Sequence, residues 1–413
     1  KIIEVTPYRI ESSYSDHRRP DSVKFSKDIL DDLKRRDFTM NAIAYDAETG
    51  ELVDPFSGVA DLAKKIIKTV GDPKDRFFED GLRILRAVRF HVELDFPLDP
   101  ETEKSILENS DILKEVSKER IRDEFIKIIM SPSPMNGLLL LKKLGLLIYV
   151  VPELEEAIGI EQNKAHSFDV WTHLLKTVQH SADKGYLLHV RLSALFHDIA
   201  KPRSRRWAAG TDEGSKEGQW TFYGHEVVGS RVTREILENL RFSRETIEKV
   251  VNLVRWHMFF SDTEKITPSA VRRLVANVGR ENIWDLIDMR GCDRIGTGRP
   301  KENPYRLRKY KSMIEEVIRD PISVNMLKID GKKIMETLEI SPGPKIGQIL
   351  NALLEEVLED PALNTEEYLN KKTLELSKMS DMELKKIGEE GKVKKEKEEE
   401  KEIEKIRGKH FVG

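Results

Sequence analysis

The sequence predicts an α+β protein, with a small head of strands and turns followed by a mostly α-helical chain. Three observations predict it. Up to about residue 70, short β-branched or apolar runs such as Ile2-Ile3-Glu4-Val5-Thr6 and Leu52-Val53 alternate with turn-forming residues. From Asp61 the apolar spacing changes to about 3.6 residues, the period of a helix. That spacing persists to about residue 378, ahead of a dense alternation of Lys and Glu.

Taken in order, the run at residues 2–6 reads as a strand, followed by a loop at residues 12–22 rich in Ser, Asp, Arg and Pro. Residues 39–46 read as a further strand, entered from a turn. Asp46-Ala47-Glu48-Thr49-Gly50 makes a hairpin-like turn before Leu52-Val53-Asp54-Pro55. Leu82, Leu85, Val88 and Phe90 then form an apolar stripe offset from the basic face of Arg83, Arg86 and Arg89. Helices are expected over 100–109, 117–130 and 135–147, the last nearly all leucine and buried. Residues 160–300 read as mostly helical and hold most of the histidines, with an exposed loop at 208–218. A basic linker at 298–311 leads to further helices, and residues 383–409 read as a solvated single helix held by i,i+4 ion pairs. The expected domains are 1–70, 71–160, 161–297, 298–380 and the charged tail 381–413.

Composition removes several classes. Charged residues make up 35% and apolar residues 39%, and no run approaches the ~18 apolar residues of a membrane span. The first residues lack the basic-then-apolar layout of a signal peptide. Cys292 is the one cysteine, which excludes an internal disulfide framework and suits a reducing, cytoplasmic setting. Seventy basic residues against seventy-three acidic leave a net charge of −3, so any nucleic-acid contact must rest on local patches.

Two segments in the first hundred residues carry chemistry. In Arg35-Arg36-Asp37-Phe38-Thr39-Met40-Asn41-Ala42, adjacent guanidinium forks match phosphate oxygens and a carboxylate can accept from a ribose hydroxyl. In Glu79-Asp80-Gly81-Leu82-Arg83, Asp80 and Arg83 stand at i and i+3, a spacing that projects both from one helix face. A carboxylate beside a guanidinium offers an acceptor next to donors, which suits a base edge carrying an exocyclic amine.

Flanked by Thr69-Val70-Gly71-Asp72-Pro73 and Ile84-Leu85-Arg86-Ala87-Val88-Arg89-Phe90, these segments resemble the nucleotide-reading motifs of class II tRNA nucleotidyltransferases, the family of CCA-adding enzymes and bacterial poly(A) polymerases. The resemblance runs from residue 2 to about 370. It takes in the head loop Ser13-Tyr14-Ser15-Asp16-His17-Arg18-Arg19-Pro20-Asp21 and the turn Asp54-Pro55-Phe56-x-Gly58-x-x-Asp61-Leu62. It also takes in the body motifs Glu119-Arg120-Ile121 and Gly343-Pro344-Lys345-Ile346-Gly347. It implies a polymerase-beta-like nucleotidyltransferase head, with the neck, body and tail formed by the helices, and addition of C and/or A to the 3′ ends of tRNA from CTP and ATP without a template. It assigns nucleotide binding to Arg35, Arg36, Asp37, Asn41, Glu79, Asp80, Arg83 and Arg86, and base choice to Asp80 and Arg83. The head would use two Mg2+ ions held by carboxylates. Of these Glu4 matches the third, while the family's Gly-Gly loop and Asp-x-Asp pair belong upstream of the strand at which this sequence begins. Residues ahead of Lys1 are therefore expected in an active transferase; without them the head would be a remnant, and the chain an RNA-binding module with a hydrolase.

A second resemblance is to HD-type metal phosphohydrolases. It rests on His173, the adjacent pair His197-Asp198, and Asp293, with His225 and His257 as additional ligands that suit a second metal. Imidazole and carboxylate together suit Mn, Ni, Fe or Mg better than a structural zinc. The resemblance implies hydrolysis of phosphomonoesters or 2′,3′-cyclic phosphates at RNA ends, with Lys201 neutralising the phosphate. Further on, Arg294, Arg299, Lys301, Arg306, Arg308, Lys309 and Lys311 cluster with Tyr305 and Tyr310, a pairing of phosphate neutralisation and stacking expected to grip the tRNA acceptor arm. A monomer or a homodimer fits equally. Bacterial poly(A) polymerase is the alternative within the family, though the basic RNA-gripping C-terminus typical of those enzymes is not evident.

Overall fold

The computed structural model describes residues 5–11, 23–162, 167–208, 218–259, 266–384 and 386–387. The chain forms two units, one of residues 1–204, 224–255 and 292–300, the other of residues 205–223, 256–291 and 301–413.

In the first unit the head is built from local devices rather than long ladders. Arg9–Glu11 pairs antiparallel with Val23–Phe25. Ala44–Tyr45 pairs with Leu52–Val53 around the expected turn, where the Gly50 N–H donates to the Asp46 carbonyl at 2.9 Å and Gly50 takes φ +74°. Most of the strand expected at residues 2–6 lies outside the described residues, and Val5 and Thr6 are not in a strand. The expected strand at 39–46 shrinks to Ala44–Tyr45 behind a turn of 3-10 helix, Thr39–Asn41. Side chains explain this: the Thr39 hydroxyl donates to Asp61 at 2.7 Å and the Asn41 amide to Asp37 at 3.0 Å, bonds that compete with strand pairing. A short helix, Gly58–Ala63, starts three residues before the expected change of period, because the Asp54 carboxylate accepts from the N–H groups of Gly58 (2.6 Å) and Val59 (3.0 Å).

Asp72 caps the helix Pro73–Glu79 by accepting from the Lys74 N–H at 2.8 Å, and Pro73 occupies its first turn. The helix then stops. Asp80 is extended, at φ −152° and ψ 104°, and Leu82–Leu94 begins anew after Gly81. Asp80 and Arg83 therefore do not share one helix, contrary to expectation. The apolar stripe of Leu82–Leu94 buries Leu82, Leu85 and Val88 as expected, along with Ile84. These pack in one core with Phe38, Phe77, Ile121, Phe125 and Ile128, which fixes the motif-bearing segments against the helix Lys118–Met130. The leucine-rich segment is two helices, Pro134–Lys143 and Leu147–Val150, separated at Gly145 in the left-handed region (φ +65°). Its leucines are buried apart from Leu139, which is 40% exposed. The helices Val170–Asp183 and Leu188–Phe196 complete the scaffold of the histidine cluster.

The second unit is helical, built from Pro268–Val278, Tyr305–Val317, Gly331–Leu338, Pro344–Glu359 and Glu366–Leu376, with a core around Ile334, Ile349, Leu353, Val357 and Leu369. The buried Arg272 ties it together, donating to Asp320 (2.8 Å) and to the Leu358 carbonyl (2.7 Å). Two departures from expectation occur here. The expected linker at 298–311 becomes helical from Tyr305, because Leu307, Tyr310, Ile314 and Val317 recur at helical spacing and are buried. The flanks of the loop at 208–218 form an unexpected hairpin, Arg206–Ala208 with Gln219–Thr221. From residue 388 the charged tail lies outside the described residues. Among the described residues no helix is long and apolar enough to cross a membrane.

Candidate nucleotide and metal sites

The two motif segments of the head meet through two sets of charged contacts. Arg83 donates through Nη2 to the Arg35 carbonyl at 2.8 Å, and through Nη1 to Glu79 at 2.5 Å and the Arg76 carbonyl at 3.1 Å. Arg76 in turn pairs with Glu79 and donates to the Lys34 carbonyl at 3.0 Å. Arg86 reaches the buried Asp37, at 2.7 Å from Nε and 2.6 Å from Nη2, while Asn41 and the Phe38 N–H occupy the other Asp37 oxygen. Arg35 and Arg36 both pair with Asp32, at 2.5 and 3.1 Å. Burial alone would raise the Asp32 pKa; Arg35 and then Arg36 overcome it and hold the carboxyl below its ordinary value.

Asp80 sits beside these contacts with a partner the sequence did not announce as such. Arg120, on the helix Lys118–Met130, makes a two-pronged bond to it: Nη1 to Oδ1 at 3.0 Å and Nη2 to Oδ2 at 2.7 Å. The Leu82 N–H adds a third donor at 3.1 Å. A carboxylate has about four lone-pair positions, so these donors leave Asp80 about one acceptor position. Arg83 spends both Nη1 hydrogens and one of Nη2 on its partners among the described residues, which leaves Nε–H and one Nη2 hydrogen. Arg83 and Asp80 keep 11% and 19% side-chain exposure. One acceptor and a fixed fork of donors is a set that can hold the amine and the ring acceptors of a nucleobase. Glu4 and the head loop at residues 12–22 lie outside the described residues.

The second cluster is buried in the first unit. His173 stands on Val170–Asp183, His197 and Asp198 directly follow Leu188–Phe196, and Asp293 lies near the end of the helix Ile283–Gly296. His173 Nε2 is 2.9 Å from His197 Nε2, 3.2 Å from Asp198 Oδ2 and 3.3 Å from Asp293 Oδ1. His197 Nε2 lies 3.3 Å from Asp198 Oδ2 and 3.6 Å from Asp293 Oδ1. His225 Nε2 approaches the other Asp198 oxygen at 3.1 Å. The Ala194 carbonyl, 3.0 Å from His197 Nδ1, accepts its proton and turns the Nε2 lone pair toward the cluster. Burial would lower the His197 pKa, but Asp198 and Asp293 raise it well above its ordinary value. Asp198 is likewise held far below the carboxylate range by His197 and Lys201 despite its burial. The cluster thus calls for positive charge at its centre. The donor set fits a divalent metal: His173, His197 and Asp293 offer two imidazole nitrogens and a carboxylate oxygen within 4.8 Å of one another, and Asp198 Oδ2 stands 3.2 and 3.3 Å from the two imidazoles.

Lys201 is buried, with its ammonium 2.6 Å from Asp198 and 2.6 Å from the Gln162 amide oxygen. His257 belongs to the second unit and is buried. Gly296 is the unannounced support of the cluster. A Cβ there would stand 2.0 Å from Thr177 Oγ1 and 3.1 Å from His173 Nδ1. We expect Gly296→Ala to push Thr177 and His173 aside, costing about 1–3 kcal/mol and lowering bound metal. Chemical denaturation with metal analysis checks it, and an unchanged metal content would show that His173 does not depend on this packing.

Of the basic cluster, Arg299 is exposed in the first unit, while Lys301, Arg306, Arg308 and Lys309 are exposed and Lys311 half-buried in the second. Tyr305 is 66% exposed, but Tyr310 is 1% exposed and packs on Phe259 with ring centres 5.0 Å apart, so it offers no stacking face.

Comparison with known proteins bears on both sites. An A-adding tRNA nucleotidyltransferase of Deinococcus radiodurans is 33% identical over 348 residues, covering 81% of this chain and 76% of the relative. The chain belongs to the tRNA nucleotidyltransferase family. A CC-adding tRNA nucleotidyltransferase of Thermus thermophilus is also 33% identical, over 339 residues, 79% of this nucleotidyltransferase and 73% of that one. A CCA-adding enzyme of a Geobacillus species is 52% identical, but over 147 residues, 36% of each chain. Family models match the Poly A polymerase head domain at residues 1–68, the probable RNA and SrmB-binding site of polymerase A at 95–158, and the HD domain at 165–295. The structure of Bacillus stearothermophilus CCA-adding enzyme in complex with CTP aligns with a TM-score of 0.60 at 25% identity, over 90% of this nucleotidyltransferase and 78% of that chain.

Proposed function

We propose that this nucleotidyltransferase adds C and/or A to the 3′ end of tRNA from CTP and ATP, reading the incoming base with Asp80 and Arg83. The arrangement around Asp80 carries this reading. Arg120 and Leu82 saturate all but about one acceptor position of the carboxylate, so the base facing it must present a donor, as the amines of cytosine and adenine do and the carbonyls of uracil and guanine do not. Arg83 supplies the neighbouring donors, and its bond to the Arg35 carbonyl joins base reading to the segment that carries Asp37. Asp37, Asn41, Glu79 and Arg86 act in this account as the frame of the pocket, and Arg35 and Arg36 as the triphosphate side. The domain limits of the reading are a head to residue 70, a neck and body to 160, an HD domain to 297, a tRNA-binding segment to 380 and a charged tail.

The HD cluster is a separate hydrolytic centre in this proposal. His173, His197, Asp198 and Asp293 would hold Mn, Ni, Fe or Mg, which when bound polarises a phosphate and supplies hydroxide at neutral pH. Among the chain's own groups, Asp198 organises the site by facing both imidazoles, His225 and Lys201. Head catalysis calls for Mg2+ on carboxylates, with Glu4 among them, and the exposed Arg299, Lys301, Arg306, Arg308 and Lys309, with the half-buried Lys311, are assigned to the acceptor arm.

The test supplies Mg2+, each labelled NTP and tRNA ending before, within and after CCA. Addition that stops at the end of CCA, whether of both bases, of C alone or of A alone, is expected. Long A tails on arbitrary RNA would overturn it in favour of a poly(A) polymerase.

A further inference from the structure

The hairpin Arg206–Ala208 with Gln219–Thr221, in the second unit, belongs to neither site above. Residues 205–208 and 218–223 include two arginines and four aromatics, and the sequence between them, 209–217, adds one lysine and three acids. Trp207 faces Trp220 across the strands, with ring centres 4.9 Å apart at 73°. Strand alternation places Arg205 on that same face, and its guanidinium lies 3.7 Å over the Trp220 ring. Trp207 also lies against Gly218, where a Cβ would stand 2.5 Å from Cζ2 and 2.8 Å from Nε1. Held on two sides, the indole is still 59% exposed.

A cross-strand aromatic pair stabilises a hairpin by about 0.2–1 kcal/mol, which accounts for the contact between the rings. It does not account for a bulky indole seated on a glycine with most of its surface in water, where burial would be worth ~25 cal/mol per Å2. An aromatic side chain already fixed in place loses little entropy on binding a second flat group. The flat group that also answers a guanidinium on the same face is a nucleobase attached to a phosphate. An acidic peptide would meet the charge and leave the indole uncovered.

We propose that this hairpin is a docking platform for single-stranded RNA, with a base stacked on Trp207 and an adjacent phosphate met by Arg205. The proposal rests on neither the base-reading nor the metal assignment. The test measures binding of the full chain to a short labelled RNA lacking CCA, as a single strand and as a blunt duplex, over a range of salt. Trp207→Ala is expected to weaken single-strand binding about ten-fold and Trp207→Phe by no more than about three-fold, with duplex binding unmoved. Arg205→Ala is expected to weaken it and flatten the salt dependence by about 0.7 in log–log slope. Thermal unfolding of each variant is followed alongside. Unchanged single-strand affinity in Trp207→Ala would overturn the proposal, as would an equal loss on duplex. So would a Phe variant as weak as the Ala variant, since the pair would then merely brace the hairpin. Displacement of the RNA by a polyglutamate peptide would overturn it too, by showing a surface that reads charge alone.

Discussion

Asp80→Ala is expected to lower kcat/KM for CTP and ATP by roughly 10²–10³-fold, erase their advantage over UTP and GTP, and leave tRNA affinity within about two-fold. In the proposed reading, the loss follows from removing the acceptor for the exocyclic amine. Arg120→Ala should produce much of the same loss without touching the base, because Arg120 holds both Asp80 oxygens. Arg120 is thus a positioning residue, and a cycle of single and double variants separates the roles: the double variant should lose little more than Asp80→Ala alone. Arg120→Lys, which keeps the charge but not the fork, should restore part of the C/A choice. Loss of tRNA binding in Asp80→Ala would show instead that the residue only joins two helices to a third.

The second large effect concerns the HD cluster. Asp198→Asn should lower metal-dependent phosphatase activity by roughly 10³-fold while addition of C or A is unchanged. One carboxylate here faces His173, His197, His225 and Lys201, so its loss removes a ligand and the charge that the Lys201 ammonium meets at 2.6 Å. Hydrolysis of a 2′,3′-cyclic phosphate and of a phosphomonoester, with metal content measured on the same preparation, checks it. Equal loss of nucleotide addition would break the division into two independent sites.

Much of this was legible in the sequence because the motif residues are charged and their types state their work. Across tens of residues Arg86 meets Asp37, to which the Asn41 amide also donates, Arg83 meets the main chain of Arg35, and His173, His197, Asp198 and Asp293 converge. What stayed hidden depended on backbone breaks and distant partners. The i, i+3 spacing of Asp80 and Arg83 suggested one helix, but the side chain of Asp80 accepts from the Leu82 N–H and opens a break between two. Arg120 stood within a noted motif, yet nothing local tied it to a carboxylate forty positions earlier. The hairpin at Trp207 leaves no trace in the sequence pattern, because strands of three residues are too short for a period to show. The basic neighbours of Tyr310 suggest a stacking group, while its helical spacing from Leu307 and Ile314 buries it.

Arg83 grips residue 35 by its main-chain oxygen rather than by its side chain. That bond between the two segments therefore does not depend on the side chain at position 35. A substitution there would remove the Arg35–Asp32 pair and leave the bond from Arg83 in place.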